Sequence, residues 1–492
     1  MKSARVILGL ELAAALVLRL LFAQTRSIQY DDAFTILLAE RPLASIVTGT
    51  AADTMPPLFY FMLHFWGMVS REMVWLRLLP TLLNLGSLMF LYLLMRDMGG
   101  RRAALWAVGL AAISPLQIFH AQDVRMYALL AFAQIGYLWF FIRLWQYWQA
   151  NQRILGWAGA GLVGMGAAAL YSHNLAIFGL AAPSLFLLVR REWRLLLRLT
   201  AMQLVVGVLA MPWLWMIPGQ VEKIQRAFWT PRPGLIEILQ TLILFNASLP
   251  LPGWQMAAAA VISLQIAVLL ILELARSKGE GAERGFLITA CLTPPVLMFL
   301  VSYVMRPIFV TRGFLISGLL YCGLCGWVIA RGWPKGASIF LAGLAGAAVL
   351  ISLPYQMTYA SFPRSPYREA TAWLREHAPA GAVIVHDNKL SFFPSRVYDP
   401  TLPQKFLADE PGSHNDTLAY ATQMAMELIP EINVETAVGD AEDVYYVTFA
   451  VVEAEYQTAG VTHPALAWLE GRYLEVEQVR FNDLVVRRYQ KP

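Results

Sequence analysis

Charge is scarce in this chain of 492 residues: Asp, Glu, Lys and Arg make up 14% of it, against about 25% in ordinary soluble domains. With 58% hydrophobic residues and a mean hydropathy of +0.53, that shortage excludes an ordinary soluble enzyme, a disordered chain and a nucleic-acid-binding module. Cysteine is nearly missing too. Cys291, Cys322 and Cys325 all fall in apolar runs, so no disulfide framework holds the polar tail. The Cys322-x-x-Cys325 pair reads as small apolar filling inside a hydrophobic helix. No small-x-small cleavage site follows the apolar run that starts at Val6, which therefore reads as an uncleaved first span rather than a signal peptide.

What charge there is divides unevenly. Residues 1–354 hold 27 Lys and Arg against 14 Asp and Glu, whereas residues 355–492 hold 11 against 19. This predicts a basic membrane-embedded body over 1–354 and an acidic soluble domain over 355–492. A bilayer core takes about 20 apolar residues to cross, and eleven stretches qualify. They are 6–24, 76–95, 103–120, 127–148, 155–171, 174–189, 195–217, 254–275, 286–305, 311–330 and 337–354. With the N-terminus inside, the short connectors at 96–102, 143–153, 190–198, 276–284 and 331–335 gather the arginines and lysines on one face. The odd count places the C-terminal domain outside, at the plasma (inner) membrane. Two outer connectors, 25–75 and 218–253, are too long for turns. The first holds an apolar stretch, 58–66, too short to span; the second holds Lys223 and Arg226 next to Phe228 and Trp229, a pattern suited to the membrane interface. The tail predicts a small α/β or α+β domain, with a helix over 367–377 and strands over 382–386, 444–449 and 484–489.

Few carboxylates fall on the outer face. Asp31 and Asp32 follow the first span, and Asp123 ends the third. Carboxylates at the ends of different helices can converge on one cavity and supply a general base, or hold a divalent cation such as Mg or Mn through oxygen ligands. The cations of that face are Arg77, Arg125, Arg306 and Arg312, with His173 in the tight turn Tyr171-Ser-His-Asn174. A guanidinium suits phosphate because its planar fork makes paired charge-assisted hydrogen bonds. Glu11 and Arg19, costly in hydrocarbon, should face the protein interior.

Several of these stretches resemble one family. Tyr30-Asp-Asp-Ala-Phe-Thr35, Met55-Pro-Pro-Leu-Phe-Tyr-Phe-Met-Leu-His64 and Leu76-Arg77-Leu-Leu-Pro80 look like the amino-terminal signature of bacterial glycosyltransferase family 39-type proteins. These are GT-C membrane transferases related to protein O-mannosyltransferases and the lipid A aminoarabinose transferase. Ser114-Pro115 through Asp123-Val-Arg125-Met-Tyr127, Leu170-Tyr-Ser-His173-Asn and Phe309-Val-Thr-Arg312-Gly are similar to its later blocks, in the same order over residues 10–330. The resemblance implies Asp31 as the base that deprotonates an acceptor hydroxyl, with Asp32 and Asp123 standing where relatives commonly have glutamate. It implies a polyprenyl-phosphate-linked sugar donor, hexosyl or pentosyl, for which Arg77, Arg125, Tyr127, His173, Arg306 and Arg312, with Lys223 and Arg226 of the second connector, are the candidate binding residues. A metal on Asp31 and Asp123 is weakly implied, since Met55 replaces a histidine common before Pro-Pro-Leu. The acceptor could be a lipid, a glycan or a protein.

The chemistry is coherent on its own terms. A lipid phosphate leaves as a stabilised anion, so the protein has to position an acceptor, remove its proton and stabilise the departing charge. Single displacement would invert the anomeric centre. A transporter or lipid flippase is the competing reading, but it calls for repeat halves and polar groups at mid-membrane. Here the polar groups gather at outer span ends.

Overall fold

A computed structural model describes residues 2–226, 230–276, 281–305, 307–332, 335–413 and 416–492, the side chains of residue 2 and of 222–226 aside. The chain divides into two units, one of residues 1–23 and 54–357, the other of residues 24–53 and 358–492.

The first unit is helical. Among the described residues, seven helices are long and apolar enough to cross a membrane: Met73–Ile113, Tyr127–Asn151, Trp193–Leu214, Gly253–Arg276, Gly281–Val304, Thr311–Gly332 and Gly336–Thr358. The 41-residue segment Met73–Ile113 breaks at Gly100, whose φ of 81° suits a residue without a Cβ. It thus covers the expected span 76–95 and the start of 103–120. The expected spans 6–24, 155–171 and 174–189 are helical as well. The first carries Lys2, Arg5, Glu11 and Arg19 in Lys2–Leu20; the second, Gly156–Ser172, is short; the third divides into Ala176–Leu180 and Ala182–Val189.

Helix Leu315–Gly332 lies at the centre of this unit, buried along almost its whole length. It sits close to the segment after Gly100: a Cβ on Gly326 would stand 2.5 Å from the backbone nitrogen of Ala107. Arg19 is wholly buried, and its guanidinium donates to Asn84 Oδ1 at 2.7 Å and to the Ala112 carbonyl at 2.8 Å. Those acceptors answer its charge inside the unit, which gives Arg19 a structural task. The three cysteines are buried thiols, as expected of apolar filling.

The second unit is built on a five-stranded mixed sheet. Its strands are β1 (Val383–His386), β2 (Gln404–Phe406), β3 (Asp443–Phe449), β4 (Leu474–Phe481) and β5 (Leu484–Gln490), in the order β2-β1-β3-β5-β4. The first three run parallel; β5 pairs antiparallel with β3 and β4. Alternation sends Val385 and Tyr446 into one core and Ile384 and Tyr445 into the other, where Leu374 of helix Tyr367–His377 covers them. Three of the strands and that helix lie where the sequence places them; β2 and β4 escaped the reading.

The long connector 25–75 is divided between the units. Residues 24–53 form helices Tyr30–Ala39 and Leu43–Ala52, clustered with the C-terminal residues rather than with the helical body. Phe34, Ile36 and Leu38 are buried; Tyr30 lies 5.3 Å from Phe393 between ring centres, and the Ile28 amide donates to Tyr398 Oη at 3.0 Å. Short apolar helices that cannot span must still bury one face. Here the partner is more than 300 residues away in sequence, so no local pattern gives it.

Candidate functional site

The first unit gathers cationic and aromatic side chains around Tyr127. Helix Met73–Ile113 ends at Ser114, and Pro115 at the first position starts the short helix Pro115–Gln122. Extended backbone at Asp123 ends that helix, and Tyr127 opens the next one. Thr81 Oγ1 donates to the Ala121 carbonyl at 3.1 Å, and Gln122 Nε2 donates to the carbonyls of Arg19 and Leu21. Arg77, fully buried, donates to the Ala23 carbonyl at 2.6 Å. Arg77 thereby fastens the end of the first helix beside the pocket-bearing segment.

Four side chains surround the Tyr127 ring. Arg125 and Arg312 place their guanidinium carbons 5.9 Å and 5.8 Å from its centre. The His120 and His173 rings lie at 5.1 Å and 5.9 Å. Arg125 also donates to Tyr60 Oη at 3.3 Å. His120 Nδ1 stands 3.1 Å from Asp123 Oδ2, an ion-pair distance outside hydrogen-bond geometry. All of these except Arg312, which is half-buried, are more than nine-tenths buried. Asp123, Arg125, Tyr127, His173 and Arg312 are thus brought together as expected. Tyr60 and His120 join them unforeseen. The spacing of His120 three residues before Asp123, where helical side chains meet, was the available signal.

His173 has a defined protonation state. Its Nδ1 accepts from the Leu175 amide at 3.0 Å, which leaves the proton on Nε2. Burial pushes its pKa down to about 3, helped by the charges of Arg312 and Arg125. At neutral pH it is a neutral donor, and Nε2 and Tyr127 Oη are both buried without a hydrogen-bond partner. Next to it, Asn174 donates to Gln220 Oε1 at 2.9 Å and accepts from Trp213 Nε1 at 2.8 Å. The connector after residue 217 is therefore fastened to the turn that carries His173. Two cations, one carboxylate and two neutral donors make a pocket suited to an anion with several oxygens.

Asp31 and Asp32 belong to the second unit, in the first turn of helix Tyr30–Ala39. Asp32 is buried and accepts from the Gln29 amide at 3.1 Å, which caps the helix. Asp31 is half-buried, and its carbonyl accepts from Thr35 Oγ1. Arg306 lies outside the described residues, as do Phe228 and Trp229; Lys223 and Arg226 fall in helix Ile217–Arg226, whose side chains from residue 222 onward are not described. A divalent cation does not fit the pocket at Tyr127, where a single carboxylate stands beside two guanidiniums. Among the described residues no three His, Cys, Asp or Glu side chains gather as metal ligands. Such an ion takes about six or more oxygens. Asn246 and Asn415 open N-x-Ser/Thr sequons. The Asn246 side chain is buried and donates to the Leu242 carbonyl at 2.9 Å, turned away from modification; Asn415 lies outside the described residues.

The chain is similar in structure to ArnT from Cupriavidus metallidurans, solved bound to undecaprenyl phosphate. The TM-score is 0.64 at 12% identity, over 98% of this chain and 97% of that one. The chain has the GT-C fold. A second likeness is to the oligosaccharyltransferase of Archaeoglobus fulgidus, solved tethered to an acceptor peptide, with a TM-score of 0.53 at 14% identity over 99% of this chain and 74% of that one. The same archaeal enzyme, solved with an inhibitory peptide and a dolichol-phosphate, gives 0.53 at 13% identity, with the same coverage. No protein-family model and no curated protein matches the sequence. The fold and the seven apolar helices among the described residues together make this chain a multi-pass membrane protein.

Proposed function

We propose that this chain is an inverting glycosyltransferase that moves a sugar from a polyprenyl-phosphate donor to an acceptor hydroxyl. The pocket around Tyr127 carries the reading. Arg125 and Arg312 would take the donor phosphate, and His173 Nε2–H and Tyr127 Oη would donate to its remaining oxygens. Because His173 is neutral, it contributes a donor without needing a proton from solvent. Negative charge growing on the departing phosphate meets fixed donors in a dry site, where such preorganisation counts most. Likeness to ArnT bound to undecaprenyl phosphate and to an archaeal enzyme bound to dolichol-phosphate supports a lipid-linked donor.

The base is proposed to be Asp31, with Asp32 fixing the helix turn that carries it and Asp123 paired to His120 in the pocket. Whether the sugar is a hexose or a pentose, and whether a lipid, a glycan or a protein accepts it, follows from the assay's substrates. Transfer by the purified protein from a polyprenyl-phosphate sugar is the test. Asp31→Asn keeps size and most hydrogen bonding but removes the base, so turnover should fall by about 10²–10⁴ with donor binding retained. Near-normal turnover would pass the role to Asp123, to be checked by Asp123→Asn.

A further inference from the structure

A slot of about 430 Å³ opens between three helices of the first unit, within the size range of ligand pockets (about 300–1,000 Å³). Ile7 and Glu11 of Lys2–Leu20 form one wall, Trp106 and Gly109 of the segment after Gly100 a second, and Ala342 and Gly346 of Gly336–Thr358 the third. Its lining is almost wholly apolar. Two polar side chains interrupt it. Glu11 lies over Gly109, its Oε1 3.3 Å from where a Cβ would stand, and its Oε2 is buried without a hydrogen-bond partner. Arg102, exposed next to exposed Arg101, forms the other end.

Arg102 stands near the start of the segment after Gly100, whereas the residues around Tyr127 follow its other end at Ile113, about 17 Å of helical rise away. The slot therefore opens at the opposite end of the helices from the pocket at Tyr127, and it is not the donor site.

We propose that this slot binds one anionic phospholipid of the leaflet that meets Arg101 and Arg102. The lipid phosphate pairs with those guanidiniums, and one acyl chain lies against Ile7, Trp106 and Gly346. Gly109 is seven residues beyond Arg102, about 10 Å of rise, which is below the ester level and among the first methylenes of a chain whose phosphate sits at Arg102. Among the described residues that line the slot, Glu11 is the polar side chain at that depth. The volume sets the occupant: about 430 Å³ between three helix walls suits a single chain, whereas a partner helix needs an open face. Charge complementarity at the mouth sets the headgroup. The inference stands apart from the transferase reading.

Brominated acyl chains quench tryptophan on contact, and Trp106 lines the slot. The full-length protein would be placed in nanodiscs doped with brominated-chain phosphatidylglycerol or with brominated-chain phosphatidylcholine. The emission of a Trp106→Phe chain is subtracted to isolate the Trp106 signal. Expected is at least threefold stronger quenching by the anionic lipid, lost in an Arg101→Gln/Arg102→Gln chain. Gly346→Leu, which extends a side chain into space open around Gly346, should abolish the Trp106 quenching. Equal quenching by the two lipids overturns the headgroup assignment, and quenching unchanged in Gly346→Leu overturns the slot itself.

Discussion

Arg312 holds its guanidinium carbon 5.8 Å from the centre of the Tyr127 ring, although the two residues are 185 positions apart. Arg125 approaches the same ring at 5.9 Å. Two positive charges around one buried aromatic ring lose Coulomb energy to each other, and an anion between them restores it.

Arg312→Ala should therefore weaken donor binding before it touches chemistry. A hydrogen bond to a charged group contributes about 1.5–3 kcal/mol, so the Kd for a polyprenyl phosphate should rise by about 10- to 100-fold. Titration of the purified protein with the lipid phosphate reads this directly. An unchanged Kd takes Arg312 out of the donor pocket.

Tyr127→Phe separates the hydroxyl from the ring. The ring, flanked by Arg125, Arg312, His120 and His173, is kept, while a buried donor disappears. A hydrogen bond to a charged phosphate oxygen contributes about 1.5–3 kcal/mol, which sets the loss of donor affinity at about 10- to 100-fold. A larger loss together with a lowered melting temperature would mean that the hydroxyl supports the fold instead.

Gly326 tests the packing that positions Arg312. Its absent Cβ would meet the Ala107 nitrogen at 2.5 Å, the Ala107 Cα at 2.8 Å and the Ala103 carbonyl at 3.0 Å, all backbone. Gly326→Ala should cost about 1–3 kcal/mol of overpacking, against the fraction of a kcal/mol that alanine returns to a helix. Gly343, with nothing within 4 Å of its Cβ position, is the control, and Gly343→Ala should be neutral or mildly stabilising. Thermal unfolding in detergent compares the two, and equal melting temperatures would contradict the close approach.

His386 gives the second unit a pH dependence. It is buried on β1, its Nε2 facing Gln404 Oε1 at 3.0 Å and its Nδ1 facing Ser391 Oγ at 3.1 Å. Burial pushes its pKa down to about 4, against about 6.5 in an unfolded chain. The unfolded state binds the extra proton first, so stability is full above about pH 6.5 and is lost as pH falls toward about 4. At about 1.4 kcal/mol per unit, the loss approaches about 3 kcal/mol. Amide exchange over residues 383–386 of the full chain, corrected for intrinsic rates, should show protection falling from pH 7 to pH 5. A His386→Gln chain should show a flatter profile, and parallel profiles would exclude His386 as the source.

Orientation is open to a simpler test. The arginines of the short connectors imply that residues 360–492 face away from the cytoplasm. A C-terminal reporter that works only in the cytoplasm should stay silent, and strong activity there would put every proposed residue on the wrong face.

Apolar run length and charge placement are local quantities, and the sequence alone determined what depends on them: a body of apolar helices, the helix Tyr367–His377 and three of the strands. The order of the Tyr30-Asp-Asp, Asp123-Val-Arg125 and Val310-Thr-Arg312 stretches was enough to suggest the GT-C fold that the structure then displayed. Short strands such as Gln404–Phe406, and Leu474–Phe481 with its charged, exposed face, lack the apolar alternation that makes a strand visible. Only the tertiary structure decided that Asp31 and Asp32 travel with the C-terminal residues, through Tyr30 against Phe393 and Ile28 on Tyr398. It alone added Tyr60 and His120 to the residues at Tyr127. His120 aside, those groupings depend on which faces find each other across about 65 to 370 residues, and no short window along the chain contains both partners.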